Sequence, residues 1–389
     1  MDYPTIFLLF SSVLAFIYAL MIASGCRNSR LPPGPYPFPV IGNLLELGDK
    51  THRSLATLSK RYGPLMSLKL GRRTTIVVSS PDIAKVFFHA HDVSFSSRVV
   101  LDTIRAVDHD KYSIAWLPPG DQWRRLRRIT SEYMFSMQRL DGSELLRGEK
   151  VQELVDYVDG CSTNEKHVDI GAAAFATTLN VLSKFIFSLD FAQYDTMSLQ
   201  EFRETVMTLL ELAAKPNLAD FFPILKSLDP QGLIRQGNVY GKKLLTIIDR
   251  IIDQQLQSRS RLATNNDVLD SLLNLVEEGE LLFSRDDMRH LLYDLLIAGT
   301  DTTSSTLEWA MAELIHNPEK METARSEIIK LMQNNNGNIQ EMHISQLPYL
   351  QAFEWKLEGK IRAQHMDMEE KVGLKLPRKI PLMAIPIKL

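Results

Sequence analysis

The chain has 389 residues, 45% hydrophobic and 23% charged, the balance of one large or two ordinary globular domains with a substantial core. A formal net charge of −3 gives no argument for nucleic acid as a main partner. Its two cysteines, Cys26 and Cys161, make neither a disulfide framework nor a zinc spacing, which points to a reducing compartment for the bulk of the chain.

Tyr3 to Cys26 carries no charged residue and is long enough to span a bilayer. Arg27 and Arg30 follow it and only Asp2 precedes it, so the positive-inside rule places the rest of the chain in the cytosol. The missing basic flank before the apolar run favours an uncleaved signal anchor over a cleaved signal peptide. Residues 31–43 form a proline-rich hinge, stiff and extended at that proline density. Its Val40-Ile41 pair predicts packing against the domain rather than display to a proline-binding module.

His52 to Tyr62 reads as a helix ended by Gly63-Pro64. Leu65 to Leu70 and Thr74 to Val78, alternating or β-branched around Gly71-Arg72, predict a β-hairpin. Ser80-Pro81-Asp82 starts a short helix through Phe88. His89 and His91 lie two apart, point opposite ways on a helix and have no ligand cluster near them in sequence, so no metal site is expected there. From this point to Leu350 the signals are helical, separated by turns such as Pro118-Pro119-Gly120. Phe353 to Leu357 reads as a strand and 379–389 as apolar alternation broken by prolines. Strands so far from the first hairpin must pair across the helical body, giving a mostly α fold, α+β in arrangement, with a small β-sheet.

The longest pattern is a helix from Ser284 to His316. Ser284 and Asp287 make a capping-box variant, and Asn317-Pro318 stops the helix, because the residue before a proline disfavours helical geometry. Such a span is roughly 48 Å long. It is apolar on more than one side, which predicts burial on several faces. Into it are set Gly299, Thr300, Asp301, Thr302, Thr303, Ser304 and Ser305. Glycine weakens a helix and hydroxyls compete for its carbonyls, so a break or bulge is expected beside Asp301. Ala298, Asp301, Thr302 and Ser305 fall at i, i+3, i+4 and i+7, one face, and predict a polar notch in an apolar cavity. The bland alternative is a helix C-cap with a polar turn; the apolar pattern resumes afterwards and argues against it.

The second informative stretch is Trp116 to Arg128. Trp123 and Arg127, at i and i+4, would present an indole N–H beside a guanidinium, a donor pair suited to a carboxylate or phosphate. Arg124, Arg125 and Arg128 read as a solvated basic face, too short to argue for nucleic acid. No nucleophile elbow, phosphate loop or dinucleotide fingerprint occurs.

Both stretches resemble the cytochrome P450 family of haem-thiolate monooxygenases, in the plant microsomal type related to geraniol hydroxylase. The resemblance covers nearly the whole chain: signal anchor, proline hinge, Trp-Arg helix, the Ala298–Thr303 motif and the tail Met366–Lys371. It implies a P450-like helical domain, 44–352 with its C-terminal end in 353–389, behind the transmembrane segment 3–26. It implies that Trp123 and Arg127 bind a haem propionate, that Asp301 and Thr302 lead protons to the dioxygen side, and that Ala298 and Gly299 leave room there. It further implies a small apolar substrate such as a monoterpenoid, electrons from NADPH through a flavoprotein reductase docked on the basic face, and single-pass anchoring in the endoplasmic reticulum membrane with the domain cytosolic. A thiolate opposite the dioxygen favours cleavage of the oxygen–oxygen bond.

The pattern departs near its end. The family's Phe-x-x-Gly-x-Arg-x-Cys-x-Gly loop is absent, so there is no axial cysteine and no metal ligand; Cys26 lies at the membrane edge and Cys161 lacks the loop's context. The family's Glu-x-x-Arg helix is absent too. Glu322/Arg325 and Glu144/Arg147 match its spacing but lie upstream and read as ordinary helix pairs. Leu347–Ala352 looks like the family before that helix and Phe353–Leu357 like the family well after the loop. On the family's pattern, roughly 110 residues, close to a domain-sized block, are missing at the Ala352–Phe353 junction. The expectation is a chain that binds no thiolate-ligated haem, is inactive, and folds poorly because apolar surface worth about 25 cal/mol per Å² is uncovered. The alternative is a catalytically silent membrane-anchored fragment or splice form that only binds partners.

Overall fold

The computed structural model describes residues 3–23, 30–191, 194, 196–259, 267–279, 282–334, 341, 343, 354–357, 378 and 382–387. In chain order the elements are α1 (Tyr3–Ala23), α2 (Thr51–Tyr62), β1 (Leu65–Leu70), β2 (Arg73–Val78), α3 (Pro81–Ala90), α4 (Asp92–Phe95) and α5 (Asp102–Arg105). There follow α6 (Asp121–Ile129), α7 (Met137–Gly142), α8 (Glu144–Thr163), β3 (Val168–Asp169), α9 (Ile170–Phe187), α10 (Met197–Ala214) and α11 (Leu218–Phe221). The last are α12 (Leu233–Arg259), α13 (Val268–Glu277), α14 (Arg285–His316), α15 (Pro318–Asn334), β4 (Glu354–Leu357) and β5 (Met383–Ile387).

The chain divides into two units, one of residues 1–102 and 216–234, the other of 103–215 and 235–389. In the first, α1 is a 21-residue uncharged helix, roughly 32 Å long, with Phe7, Phe10 and Phe16 exposed. The hinge docks through its backbone: the Pro33 carbonyl accepts the Ser67 N–H at 2.8 Å and the Pro32 carbonyl accepts its hydroxyl at 2.7 Å. Val40 does not pack as expected. It is exposed at positive φ, where the turn that pairs Phe38 with Gly42 leaves its side chain outside. The buried Asn43 staples the turn, accepting the Lys69 N–H at 2.8 Å and donating to the Tyr36 carbonyl at 3.2 Å. The β1–β2 hairpin runs from Leu65 opposite Val78 to Leu70 opposite Arg73. Leu47, Leu68 and Leu70 form this unit's core with Leu55, Leu58, Val77 and Phe221 around them.

The second unit is organised on α9 and α14. Twelve of the 18 residues of α9 are buried. It is long and apolar enough to cross a bilayer, yet 67% buried within the protein, and is therefore a core helix. The main core joins Leu126 and Ile129 of α6, Phe175 and Leu179 of α9, Ile248 and Ile252 of α12, and Leu291, Leu292 and Leu296 of α14. Both bonds of the capping box at Ser284 and Asp287 form, and Asn317 ends α14 as the proline predicts. After α6 the backbone widens into a π-turn over Thr130–Met134.

The tail joins this unit. β5 lies between β3 and β4 in a three-stranded sheet, antiparallel to both, with Val168 opposite Ala384. Leu382 and Ala384 are buried with Ile170, Ala312, Leu314 and Ile315. The tail strands thus pair with each other and with β3 rather than with the first hairpin, which forms a two-stranded sheet of its own; the small-sheet, mostly α arrangement stands. Cys26, the 347–353 junction and the 366–371 motif lie outside the described residues.

Candidate functional site

The expected break in α14 does not form; the helix is continuous through Gly299 and Asp301. The hydroxyls bond back along the helix instead of opening it. Thr300 donates to the Leu296 carbonyl at 2.6 Å, Thr302 to Ala298 at 2.6 Å, and Thr306 to Thr302 at 2.8 Å. Each i→i−4 bond leaves the backbone ladder in place, so the hydroxyls are satisfied without interrupting it.

Nor do the four notch residues share one environment. Asp301 and Ser305 are buried, whereas Ala298 and Thr302 are exposed together with Thr306 and Leu307. The reason is angular: at 100° per residue the four positions span about 100°, and the edge of the packed face runs between them. Gly299 also departs from its expected role. A β-carbon there would lie 2.5 Å from Leu182 Cδ1 of α9, so its small size serves the approach of the two central helices.

On α6 the Trp123 indole N–H is already engaged, donating to the Ile114 carbonyl at 3.0 Å. The exposed Arg127 guanidinium lies over the indole, 5.9 Å from its centroid. The pair meets, but as a cation over a ring rather than as two free donors. Arg124 is tied to Asp121 at 2.7 Å, and Arg128 approaches Glu132 at 4.0 Å. Glu322 and Arg325 pair at 3.5 Å within α15, while Arg147 reaches Glu341 in a fork of 2.9 and 2.6 Å. His89 and His91 are exposed at the end of α3.

One polar cluster was not anticipated. One turn before Ala298, Asp294 accepts from His109 Nε2 at 2.9 Å and from the Ser113 hydroxyl at 2.9 and 2.7 Å. On its other side, His109 Nδ1 meets His290 Nδ1 at 2.8 Å, so one proton lies between the two rings. Tyr293 packs on His109, and Tyr112 stacks on His290 at 5.2 Å. Burial lowers the His290 pKa to about 4, helped by neighbouring His109 and Arg289, and burial raises that of Tyr293. Serine, histidine and aspartate meet here, but the hydroxyl donates to the carboxylate and not to the imidazole, so no base activates it. The sequence signal was a lone acid inside the apolar run Leu291–Leu296, since a carboxylate largely withdrawn from water demands donors.

A cleft of about 510 Å³ near α7 is lined by Arg139, Lys184, Glu132 and Asp267 among others. Its bases are already committed: Arg139 donates to the Ser271 hydroxyl at 2.6 Å and Lys184 pairs with Asp190 at 3.4 Å.

The haem-thiolate group implied by the resemblance finds only part of its site. Arg127 offers an exposed guanidinium, and Ala298 and Thr302 are exposed on α14, while the Trp123 N–H is already held by Ile114. Cys161, the one cysteine among the described residues, is buried in a separate apolar cluster with Leu154, Tyr157, Val168 and Ala173. Among the described residues no three His, Cys, Asp or Glu side chains could together hold a metal ion. The described residues do not fit a thiolate-ligated haem.

Comparison with known proteins places this architecture. The profile of the family described as Cytochrome P450 matches residues 32–353. Cytochrome P450 76T24 of Catharanthus roseus is 49% identical over 353 residues, covering 89% of this chain and 70% of the relative. The Beta vulgaris protein named inactive cytochrome P450 76AD1 is 45% identical over 356 residues, 90% of this chain and 85% of that one. Geraniol 8-hydroxylase of Catharanthus roseus is 40% identical over 380 residues, 98% of this chain and 75% of the enzyme.

Proposed function

Because the chain belongs to the cytochrome P450 family, we propose that it descends from a membrane-anchored monooxygenase of small apolar, terpenoid-type substrates and that in this form it does not carry out that reaction. The family's reaction draws on haem, dioxygen and electrons passed from NADPH by a flavoprotein reductase. In that lineage Asp301 and Thr302 serve proton delivery, Ala298 and Gly299 the space above the haem, and Trp123 and Arg127 its acid groups. The apolar helix α1 is the anchor in the endoplasmic reticulum membrane, with the remainder cytosolic.

The observation that carries the proposal is the place of the cysteines. Cys161 is buried 6% exposed on α8, and the sequence has only Cys26 besides. The end of the family match at residue 353 supports a join there, with the axial-ligand block absent between 352 and 353. The geraniol hydroxylase relative supports the substrate class, and the relative named inactive is a precedent for a silent member. The test is a carbon monoxide difference spectrum on reduced membranes containing the chain. No thiolate-type band is expected, and the red-shifted Soret band of a thiolate-ligated carbonyl haem overturns the proposal. A second reading, a silent protein that competes for the reductase, is favoured by the arginine face of α6. There Arg127 and Arg128 stay exposed.

A further inference from the structure

The cluster around Asp294 has no part in the reading above, yet it ties α14 to the segment preceding α6 through three side-chain bonds. We propose that Asp294 is a positioning residue: by holding His109 and Ser113 it sets the 109–117 segment, whose Ile114 carbonyl in turn orients the Trp123 indole beneath Arg127.

The chain of contacts is continuous. Asp294 fixes His109 through Nε2 and Ser113 through its hydroxyl. Ser113 then organises the turn after it: its hydroxyl oxygen accepts the Ala115 N–H at 3.1 Å, and its carbonyl accepts the Trp116 and Leu117 N–H groups at 3.2 and 3.0 Å. Ile114 sits inside that turn, so the direction of its carbonyl follows from Ser113, and that carbonyl holds the Trp123 N–H at 3.0 Å. A second tie runs parallel to the first. Gln122, beside Trp123, donates to the Lys111 carbonyl at 3.0 Å and to Asp287 Oδ1 at 2.8 Å. Asp287 and Asp294 are i and i+7 on α14, so one face of the helix holds the segment directly through Asp294 and indirectly through Gln122.

A mere filler of buried space would need no such directionality. Asp294 accepts from two side chains on one short segment, and partly buried bonds to a carboxylate fix direction as well as distance. The link from Asp294 to the indole stands on these contacts alone; what the indole then serves rests on the family reading above.

The test uses the full chain in membranes or detergent, without haem. Two readouts are taken: amide hydrogen exchange over 109–117, and the near-ultraviolet signal belonging to Trp123, obtained by subtracting the spectrum of Trp123→Phe. In Asp294→Ala, exchange over 109–117 is expected to rise about tenfold or more while 383–387 keeps its protection, and the Trp123 signal is expected to collapse. Ser113→Ala is expected to move both in the same direction by less. Unchanged exchange or an unchanged Trp123 signal in a folded Asp294→Ala variant overturns the proposal. If that variant unfolds throughout, Ser113→Ala decides, and a Ser113→Ala protein with both readouts unmoved overturns it equally. Neither readout involves haem, so this test and the carbon monoxide spectrum fail independently.

Discussion

Glu308 Oε1 accepts the Leu382 amide N–H at 2.9 Å, joining the long helix to the tail across 74 residues of sequence. Burial raises the Glu308 pKa, and the Leu382 N–H and the cations Arg203 and Arg378 oppose that rise while Asp169 adds to it. Glu308→Ala leaves a buried amide unpaired and is expected to cost about 1–3 kcal/mol in chemical denaturation. Glu308→Gln keeps an acceptor and removes the buried charge, so at neutral pH it is expected to match or exceed the parent. The sign of the pH effect follows from linkage. With a folded pKa above the unfolded value of 4.5, the folded state binds more protons between the two, and this group's contribution falls as pH rises through that window. Glu308→Gln should abolish that fall.

His290 works in the opposite sense. Its folded pKa is about 4 against 6.5 unfolded, because burial and the facing groups His109 and Arg289 disfavour the charged ring more than Asp286 and Asp294 favour it. The unfolded chain therefore binds more protons between these values. The contribution is complete above about pH 6.5 and is lost as pH falls towards 4, by about 3 kcal/mol at most. Denaturation curves of His290→Gln across that range should show a flatter slope than the parent. An identical slope contradicts the assignment.

Gly299 faces Leu182, so Gly299→Ala trades a gain in helix propensity against a crowded contact. Alanine contributes about 1 kcal/mol over glycine in a helix, and overpacking costs about 1–3 kcal/mol. A net loss of about 1 kcal/mol is expected. In a double-mutant cycle with Leu182→Ala, the loss should shrink or vanish, a coupling that thermal melts resolve.

The threonines of α14 separate by burial. Thr300 is fully buried and bonds Leu296, whereas Thr302 is exposed and bonds Ala298. Thr300→Val is expected to cost about 1 kcal/mol, and Thr302→Val under about 0.5 kcal/mol. Equal losses would mean that the edge of the packed face is misplaced.

What could be read in advance was local. Ser284 with Asp287 and Asn317 before a proline bounded α14 to within a residue, and the β-branched runs around Gly71 located the first hairpin. The failures share a cause. A break at Gly299 follows from propensity alone, and the packing of Leu182 against it overrides propensity. The Trp123 donor looked free because its partner, Ile114, is reached only once a turn has folded. The Asp294 cluster joins residues 181 and 185 apart, which no local pattern connects.

The pairing of Val168 with Ala384 also has a temporal meaning. On the ribosome, β3 and the start of α9 emerge long before their strand partner exists. The helical body must then form around an unpaired edge and an unpartnered Glu308 until residues 382–387 are made. Non-local pairing of this kind is slow and leaves the intermediate open to misassociation. Residues 382–387 thus act as a latch that closes late in synthesis, covering an edge that the helical body has to carry exposed until then.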